Sequence, residues 1–468
     1  MSRPAPHLTL GVAALTALGS LVAAGPQAGA AGETCNGQAA TIVGAGSISG
    51  TPGRDIIVGS PGADDIDAGG GNDLVCGGAG ADTVRDGPGK DIVYLGDGDD
   101  EYVADPTKDI GDAVHGDAGS DTASYALRQA RVKLTLTGTS TSDDGAAGEA
   151  DKLLDTENAV GGHGNDTLAG TDGPNVLDGG DGNDTITDLG GADVVRGRAG
   201  DDKVAQPKTV DPGDDLEGGG GTDEISYAAR TADLGEVVLH LAGGVADNGS
   251  TLSGGEHDLV QGFENARGGQ GSNDIDGTDG PNVIVMGAQG GQVHALDGDD
   301  TITGGGGPEV VDDGLGADVV KLGAGCDIAQ QPVFSAHDVV EGGAGACDSI
   351  VYDQRTIGVR INLNPGTPGA VNGESGEADT LHGFERAYGG RGADYITGTD
   401  GANILDAGPD PVSDDGVDYL VGLGGPDVLL AHDGVEFNDG INGGLGNDYG
   451  EVDAGDGVWT VERVRRYP

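Results

Sequence analysis

Asp55, Asp64, Asp73, Asp82, Asp91 and Asp100 follow one another at nine-residue intervals, each with a glycine two residues before it. They belong to six consecutive units in one register, GTPGRDIIV, GSPGADDID, AGGGNDLVC, GGAGADTVR, DGPGKDIVY and LGDGDDEYV, which fill Gly50 to Val103. Position four is always Gly, position six always Asp, and position eight is Ile57, Ile66, Val75, Val84, Val93 or Tyr102. Glycine supplies the positive φ of a tight turn and leaves carbonyl oxygens uncovered, and one Asp per turn adds a charged oxygen. A hard cation takes that donor set.

The positioning elements follow from the same spacing. Each unit reads as a glycine-rich turn and a three-residue strand with one inward apolar side chain. If two units make one coil, units n and n+2 stack about 4.8 Å apart, so Asp55 lies over Asp73 and Asp64 over Asp82. Unpaired, such carboxylates repel. Ca²⁺ between them converts repulsion into coordination, with turn carbonyls completing its six to eight oxygens, whereas Mg²⁺ demands a tighter octahedron and keeps its waters.

These units resemble the hemolysin-type, or RTX, calcium-binding nonapeptide GGxGxDxUx of secreted bacterial proteins. The resemblance implies an all-β chain: a right-handed parallel β-roll or β-helix solenoid, with Ca²⁺ in both rows of turns. A second block, Gly161 to Ala205, has Asp166, Asn175, Asp184, Asp193 and Asp202 at position six. A third, Gly268 to Gln330, has Asn273, Asn282, Gly291 and Glu309 there beside Asp300, Asp318 and Asp327. A fourth has Asp394, Asp418, Asp427 and Asp448, with a further asparagine at Asn403. The expected metal ligands are therefore Asp55, Asp64, Asp73, Asp82, Asp91, Asp100, Asp166, Asp184, Asp193, Asp202, Asp300, Asp318, Asp327, Asp394, Asp427 and Asp448. The neutral Asn175, Asn282 and Asn403 put full occupancy of their turns in doubt.

A longer period overlies the nonapeptides. DTASY, DEISY and DSIVY, ending at Tyr125, Tyr227 and Tyr352, are each followed by an alternating strand, an acidic Gly-rich loop and a return to the nine-residue register. The expected organisation is a signal peptide over 1–30, an N-terminal cap over 31–49 and repeat blocks over 50–126, 161–226, 268–352 and 389–451. Wider β-helix coils connect the blocks over 127–160, 227–267 and 353–388, and a C-terminal cap covers 452–468. The loop acids Asp143, Asp144, Glu149 and Asp151 read as solvated charge. Arg463, Arg465 and Arg466 read as cap residues or, alternatively, a docking patch.

Composition bounds the function. Eighty acidic against 23 basic residues give a formal charge of −57, with 96 glycines and 3% aromatics. Such a chain repels itself and cannot offset its ordering entropy by burial alone, and it is a poor partner for nucleic acid or anionic membranes. The stretch Leu8 to Ala24, after Arg3 and before Ala28-Gly29-Ala30, reads as a cleaved export signal, and no later segment reads as a membrane span. In an oxidising exterior, Cys326 and Cys347 precede Asp327 and Asp348 and should stack in a disulfide, leaving Cys35 and Cys76 to tie the cap to the first roll. Neither HExxH nor GxSxG occurs, and the paired carboxylates are explained by the repeat. The expected function is Ca²⁺ binding coupled to folding in a secreted, non-catalytic scaffold or adhesion protein with extracellular glycan or protein partners. A polysaccharide-active enzyme on the β-helix is the alternative, and a carboxylate cluster in the connecting coils would mark it.

Overall fold

In the computed structural model each nonapeptide is a turn followed by a short strand, because the glycines favour the turn and only three to six residues per unit are extended. The structure describes residues 32–109, 111–137, 143–211, 213–243, 246–251, 256–333, 336–364, 372–409, 416–434 and 438–467. The expected signal peptide lies outside them. In the first block the strands are Ile56–Val58, Asp65–Gly69, Leu74–Ala79, Thr83–Arg85, Ile92–Asp97 and Glu101–Val103. Strands two units apart pair in parallel: Ile57 with Val75, Val75 with Val93, Ile66 with Val84 and Val84 with Tyr102. The coil is thus eighteen residues, and the chain is an all-β parallel solenoid with, among the described residues, one short 3₁₀ turn at Ala232–Leu234.

Position eight points inward throughout the first block: Ile57, Ile66, Val75, Val84 and Val93 are fully buried and Tyr102 nearly so. These side chains form one continuous column from Ile42 to Val452. Two aliphatic side chains per eighteen ordered residues leave the ordering entropy far from offset by burial. Where position one is glycine, close approach can require it: a Cβ on Gly59 would lie 2.0 Å from the Gly77 carbonyl oxygen. At position four the requirement is conformational, with Gly71 at φ 144° and Gly80 at φ 119°.

The long-period segments are wider coils, built by inserting an extra strand pair. After the turn at Tyr125, the chain forms Val132–Thr135, parallel to Thr167–Ala169, and doubles back as Gly145–Ala146, antiparallel to it. Lys152–Leu154 then rejoins the earlier column, with Leu153 beside Val114. An antiparallel strand is thus inserted into a parallel sheet. The mismatch of backbone groups there is filled by a side chain: Asp144 accepts from the N–H of Thr135 at 2.7 Å. The second segment repeats this with Asn248 accepting from the N–H of His240 at 2.6 Å, and the third with Asn372 accepting from the N–H of Asn362 at 2.6 Å.

The expectation that the loop acids are solvated is corrected for three of four: Asp144, Glu149 and Asp151 are 1%, 2% and 1% exposed. Asp143 stays at the surface and pairs with Lys133. Burial is possible because each segment carries its own cation and donor. Arg128 binds Glu149 through two hydrogen bonds of 2.9 and 2.6 Å, and the Tyr125 hydroxyl donates to Asp151 at 2.8 Å. Arg230 pairs with Glu256 and Tyr227 with Asp258, and Arg355 pairs with Glu377 and Tyr352 with Asp379. Each guanidinium lies over its tyrosine ring, 5.4–5.5 Å from the centroid. The lengthened coils also admit Phe263 and Phe384, for which the eighteen-residue coil has little room.

At the N-terminal end the hairpin Thr34–Cys35/Gln38–Ala39 closes over Ile56 and Leu74. Both disulfides form as expected, Cys35–Cys76 with Cα atoms 5.7 Å apart and Cys326–Cys347 at 5.0 Å. The tail continues the solenoid: Gly457–Trp459 pairs with Gly440–Asn442, and Arg463–Tyr467 with Tyr449–Asp453. Arg466 donates to the carbonyls of Asp453 and Asp456, while Arg465 packs over Tyr467.

Candidate metal centres

The position-six aspartates form rows through one recurring contact: the backbone N–H of each donates to Oδ1 of the aspartate in the next coil. Asp55 donates to Asp73 at 2.7 Å, Asp73 to Asp91 at 2.5 Å, Asp64 to Asp82 at 2.8 Å and Asp82 to Asp100 at 2.7 Å. The later blocks repeat it, as Asp166 to Asp184 and Asp184 to Asp202 at 2.7 Å, Asp300 to Asp318 at 2.7 Å, Glu309 to Asp327 at 3.0 Å and Asp427 to Asp448 at 3.0 Å.

That contact uses one carboxylate oxygen and separates the sixteen expected ligands into two groups. In Asp73, Asp82, Asp91, Asp100, Asp184, Asp193, Asp202, Asp300, Asp318, Asp327, Asp427 and Asp448 the second oxygen, Oδ2, is buried and has no hydrogen-bond partner among the described residues. In Asp55, Asp64, Asp166 and Asp394, which begin columns, protein donors hold both oxygens. Asp55 accepts from the Thr51 N–H at 2.7 Å and from the Thr41 hydroxyl, and Asp64 from the Ser60 N–H at 2.6 Å and from Gly46. Asp166 accepts from Gly162 and Val132 at 2.6 and 2.7 Å, and Asp394 from Gly390 and Val359 at 2.9 and 2.7 Å.

A buried carboxylate oxygen left unbonded is costly unless a charge meets it. The surroundings of Oδ2 fit a hard cation. A Cβ on Gly77 would stand 2.7 Å from Asp82 Oδ2 and 2.4 Å from the Leu95 carbonyl oxygen of the next coil. On Gly197 it would stand 2.5 Å from Asp202 Oδ2 and 2.3 Å from the Gly218 carbonyl oxygen. The position-one glycine therefore keeps open a space edged by a carboxylate and a carbonyl, the all-oxygen chemistry that Ca²⁺ prefers.

In four row members burial raises the carboxyl first, backbone N–H donors oppose it, and neighbouring carboxylates raise it again: Asp82 rises to about 6, and Asp91, Asp184 and Asp318 to about 7. A raised acid contributes stability that is fully present below its ordinary value and lost as pH rises through the folded value. Without metal, the chain is expected to gain β-structure by circular dichroism on acidification from about pH 8 to about pH 5. Protons and Ca²⁺ compete for the same oxygens, so the Ca²⁺ needed for half-maximal folding is expected to fall as pH rises over that range.

The asparagine turns close themselves. Asn175, Asn282 and Asn403 donate Nδ2–H to the carbonyls of Glu157, Glu264 and Glu385 at 2.6, 2.7 and 3.2 Å. Their Oδ1 atoms accept from Thr171, Thr278 and Thr399 N–H at 2.6, 2.8 and 2.6 Å. The amide nitrogen thus engages a carbonyl that a cation would otherwise meet. Asn175→Asp sets two oxygens face to face, and is expected to add about one Ca²⁺ per chain by equilibrium dialysis and to weaken the fold in chelator. Of the other irregular positions, Glu309 retains an unpartnered Oε2, Asn273 donates to the Gly271 carbonyl at 2.9 Å, and Gly291 brings no side chain.

Sequence reasoning missed row members beyond the strict nine-residue clock. Asp91 donates its N–H to Asp112 and Asp100 to Asp121, at 2.7 and 2.9 Å and 21 residues ahead. Asp193 and Asp202 do the same to Asp214 and Asp223, at 2.8 and 2.7 Å. A three-residue insertion in the intervening turn hides them, and a search for aspartates 21 apart finds them.

The family model described as RTX calcium-binding nonapeptide repeat (4 copies) matches residues 44–75, 77–106, 160–187, 178–205, 293–328, 382–410 and 412–450. No curated protein matches the chain. Stacked turns, rows of buried carboxylates and repeat matches along the chain agree: this is an RTX-type repeat protein, a calcium-binding β-solenoid.

Proposed function

We propose that the chain is a secreted, non-catalytic scaffold or adhesion protein whose folding is driven by Ca²⁺. The observation that carries this reading is the set of buried, unpartnered Oδ2 atoms stacked along the rows. The solenoid contains a demand for positive charge that few basic residues are placed to meet, and millimolar extracellular Ca²⁺ suits sites of this kind, which often bind at about 10⁻⁴ to 10⁻³ M. The ligands are proposed to be the twelve expected aspartates with an unpartnered oxygen, with the column-starting Asp55, Asp64, Asp166 and Asp394 contributing less.

Two disulfides support export, since such bonds persist in oxidising surroundings. Among the described residues, no helix is long and apolar enough to cross a membrane. A carboxylate cluster does occur at the first connecting segment, formed by Asp109, Glu149 and Asp151, but the acids of the segments are engaged: Glu149, Glu256 and Glu377 pair with Arg128, Arg230 and Arg355, and Asp151, Asp258 and Asp379 accept from Tyr125, Tyr227 and Tyr352. That engagement supports the scaffold over the polysaccharide-active enzyme. A glycan array and a pull-down, each run in Ca²⁺ and in chelator, test the reading. Glycan or protein binding present only with Ca²⁺ is expected, and turnover of a bound polysaccharide would overturn it.

A further inference from the structure

Three turns carry an aspartate at the first position of the repeat, where Asp86, Asp188 and Asp313 stand in place of the glycine found in GSPGAD or GGAGAD. All three point inward and are at most 1% exposed. Each has one oxygen engaged: Asp86 Oδ2 accepts from the Tyr102 hydroxyl at 2.8 Å, Asp313 Oδ2 from Gln331 Nε2–H at 2.6 Å, and Asp188 Oδ2 from Gln206. The other oxygen, Oδ1, is buried and has no hydrogen-bond partner among the described residues in any of the three.

Each of these aspartates converges with two row members. Asp86, Asp91 and Asp112 offer carboxylate oxygens within 4.8 Å of one another, and so do Asp188, Asp193, Asp214 and Asp313, Asp318, Asp338. Oδ2 of Asp91, Asp193 and Asp318 is likewise buried and unpartnered. An ordinary turn brings two carboxylates and glycine carbonyls to its cation, whereas these bring three carboxylates. All three clusters hold the same place, one coil before the segment that carries the tyrosine–arginine pair. The N–H of Asp112 donates to Asp151, that of Asp214 to Asp258 and that of Asp338 to Asp379, each the aspartate that binds the segment's tyrosine. The local arginines are already paired with glutamates.

We propose that these clusters are three Ca²⁺ sites of a second class, each with three carboxylates, which load before the two-carboxylate rows and seat the lengthened coil that follows. The proposal rests on the reading that the rows bind Ca²⁺. Ligand charge sets the order, because affinity in all-oxygen sites rises with the number of carboxylates.

The test is equilibrium dialysis of the full, disulfide-bonded chain across a series of free Ca²⁺ concentrations. About three ions are expected to bind at free Ca²⁺ roughly tenfold below that which fills the rest. The triple variant Asp86→Asn/Asp188→Asn/Asp313→Asn, isosteric at each position, is expected to lose this phase and keep the later one. A local readout covers the case in which the triple variant does not fold: Tb³⁺ luminescence excited through tyrosine. Tyr102 touches Asp86 directly, while Tyr227 and Tyr352 stand beside the other two clusters through Asp258 and Asp379, so an early Tb³⁺ phase is expected in the parent, and Asp86→Asn and Asp188→Asn are each expected to lose only the share of their own cluster. A triple variant with the parent's ion count and midpoints, or an early Tb³⁺ phase undiminished in Asp86→Asn, would mean that the clusters hold protons instead of metal, and would overturn the proposal alone. A parent that binds no Ca²⁺ would overturn the calcium reading of the rows as well.

Discussion

Removal of Ca²⁺ by excess chelator is expected to expand the chain and abolish most of its β-structure, and millimolar Ca²⁺ is expected to restore both. A formal charge of −57 opposes compaction, and each regular coil buries only two position-eight side chains. The row aspartates bring buried carboxylate oxygens close to others of the same sign. Without a cation, folding would have to bury these oxygens unbonded or protonate them, and near neutral pH neither is favourable. Metal binding is then folding free energy, as in other domains that lack a preformed core. Small-angle scattering should show the radius of gyration moving toward the ~80 Å of an unfolded chain of this length. An equally compact, β-rich protein in chelator would show that the turns close without cations.

The second large effect is expected at the arginine–glutamate pairs. Arg128 and Glu149 have side chains 3% and 0% exposed. Glu149→Ala leaves a buried guanidinium uncompensated, and loss of one partner of such a pair costs about 3–5 kcal/mol. In a solenoid that cost is felt first by neighbouring coils, so the Ca²⁺-saturated variant is expected to be cleaved by protease within residues 125–151 well before the parent. Arg128→Met/Glu149→Met removes both charges and is expected to regain most of the loss. A Glu149→Ala protein as resistant as the parent would mean that the pair does not hold the segment to the solenoid.

The sequence made the regular coils legible because one spacing governed both chemistry and packing. The interval from Asp55 to Asp73 set the coil length, the inward face and the stacking of carboxylates together. The lengthened segments were legible only as a period. Alternation in VKLTL marked a strand, but nothing local marked Gly145–Ala146 as an antiparallel insertion, since two residues carry no periodicity. Glu149 and Asp151 read as loop charge because their partners lie more than twenty residues upstream. A signal was present: an arginine three residues after the tyrosine in SYALR, SYAAR and VYDQR, each time followed by an acidic pair ending the loop. The division between column-starting and interior aspartates also lay beyond the pattern. Asp55 and Asp73 are equivalent in the nonapeptide, and they differ because Asp55 faces the cap strand Ile42–Val43 and the Thr41 hydroxyl on one side, whereas Asp73 faces a repeat aspartate on both.

That difference gives the most direct test of carboxylates shared between coils. Asp73 lies between Asp55 and Asp91 in its row, while Asp55 begins the row with both oxygens already bonded. Calcium bound per chain, counted by equilibrium dialysis at saturation, is expected to fall by about two in Asp73→Ala and by no more than about one in Asp55→Ala. Equal losses in the two variants would contradict the account, because each aspartate would then serve its own turn alone.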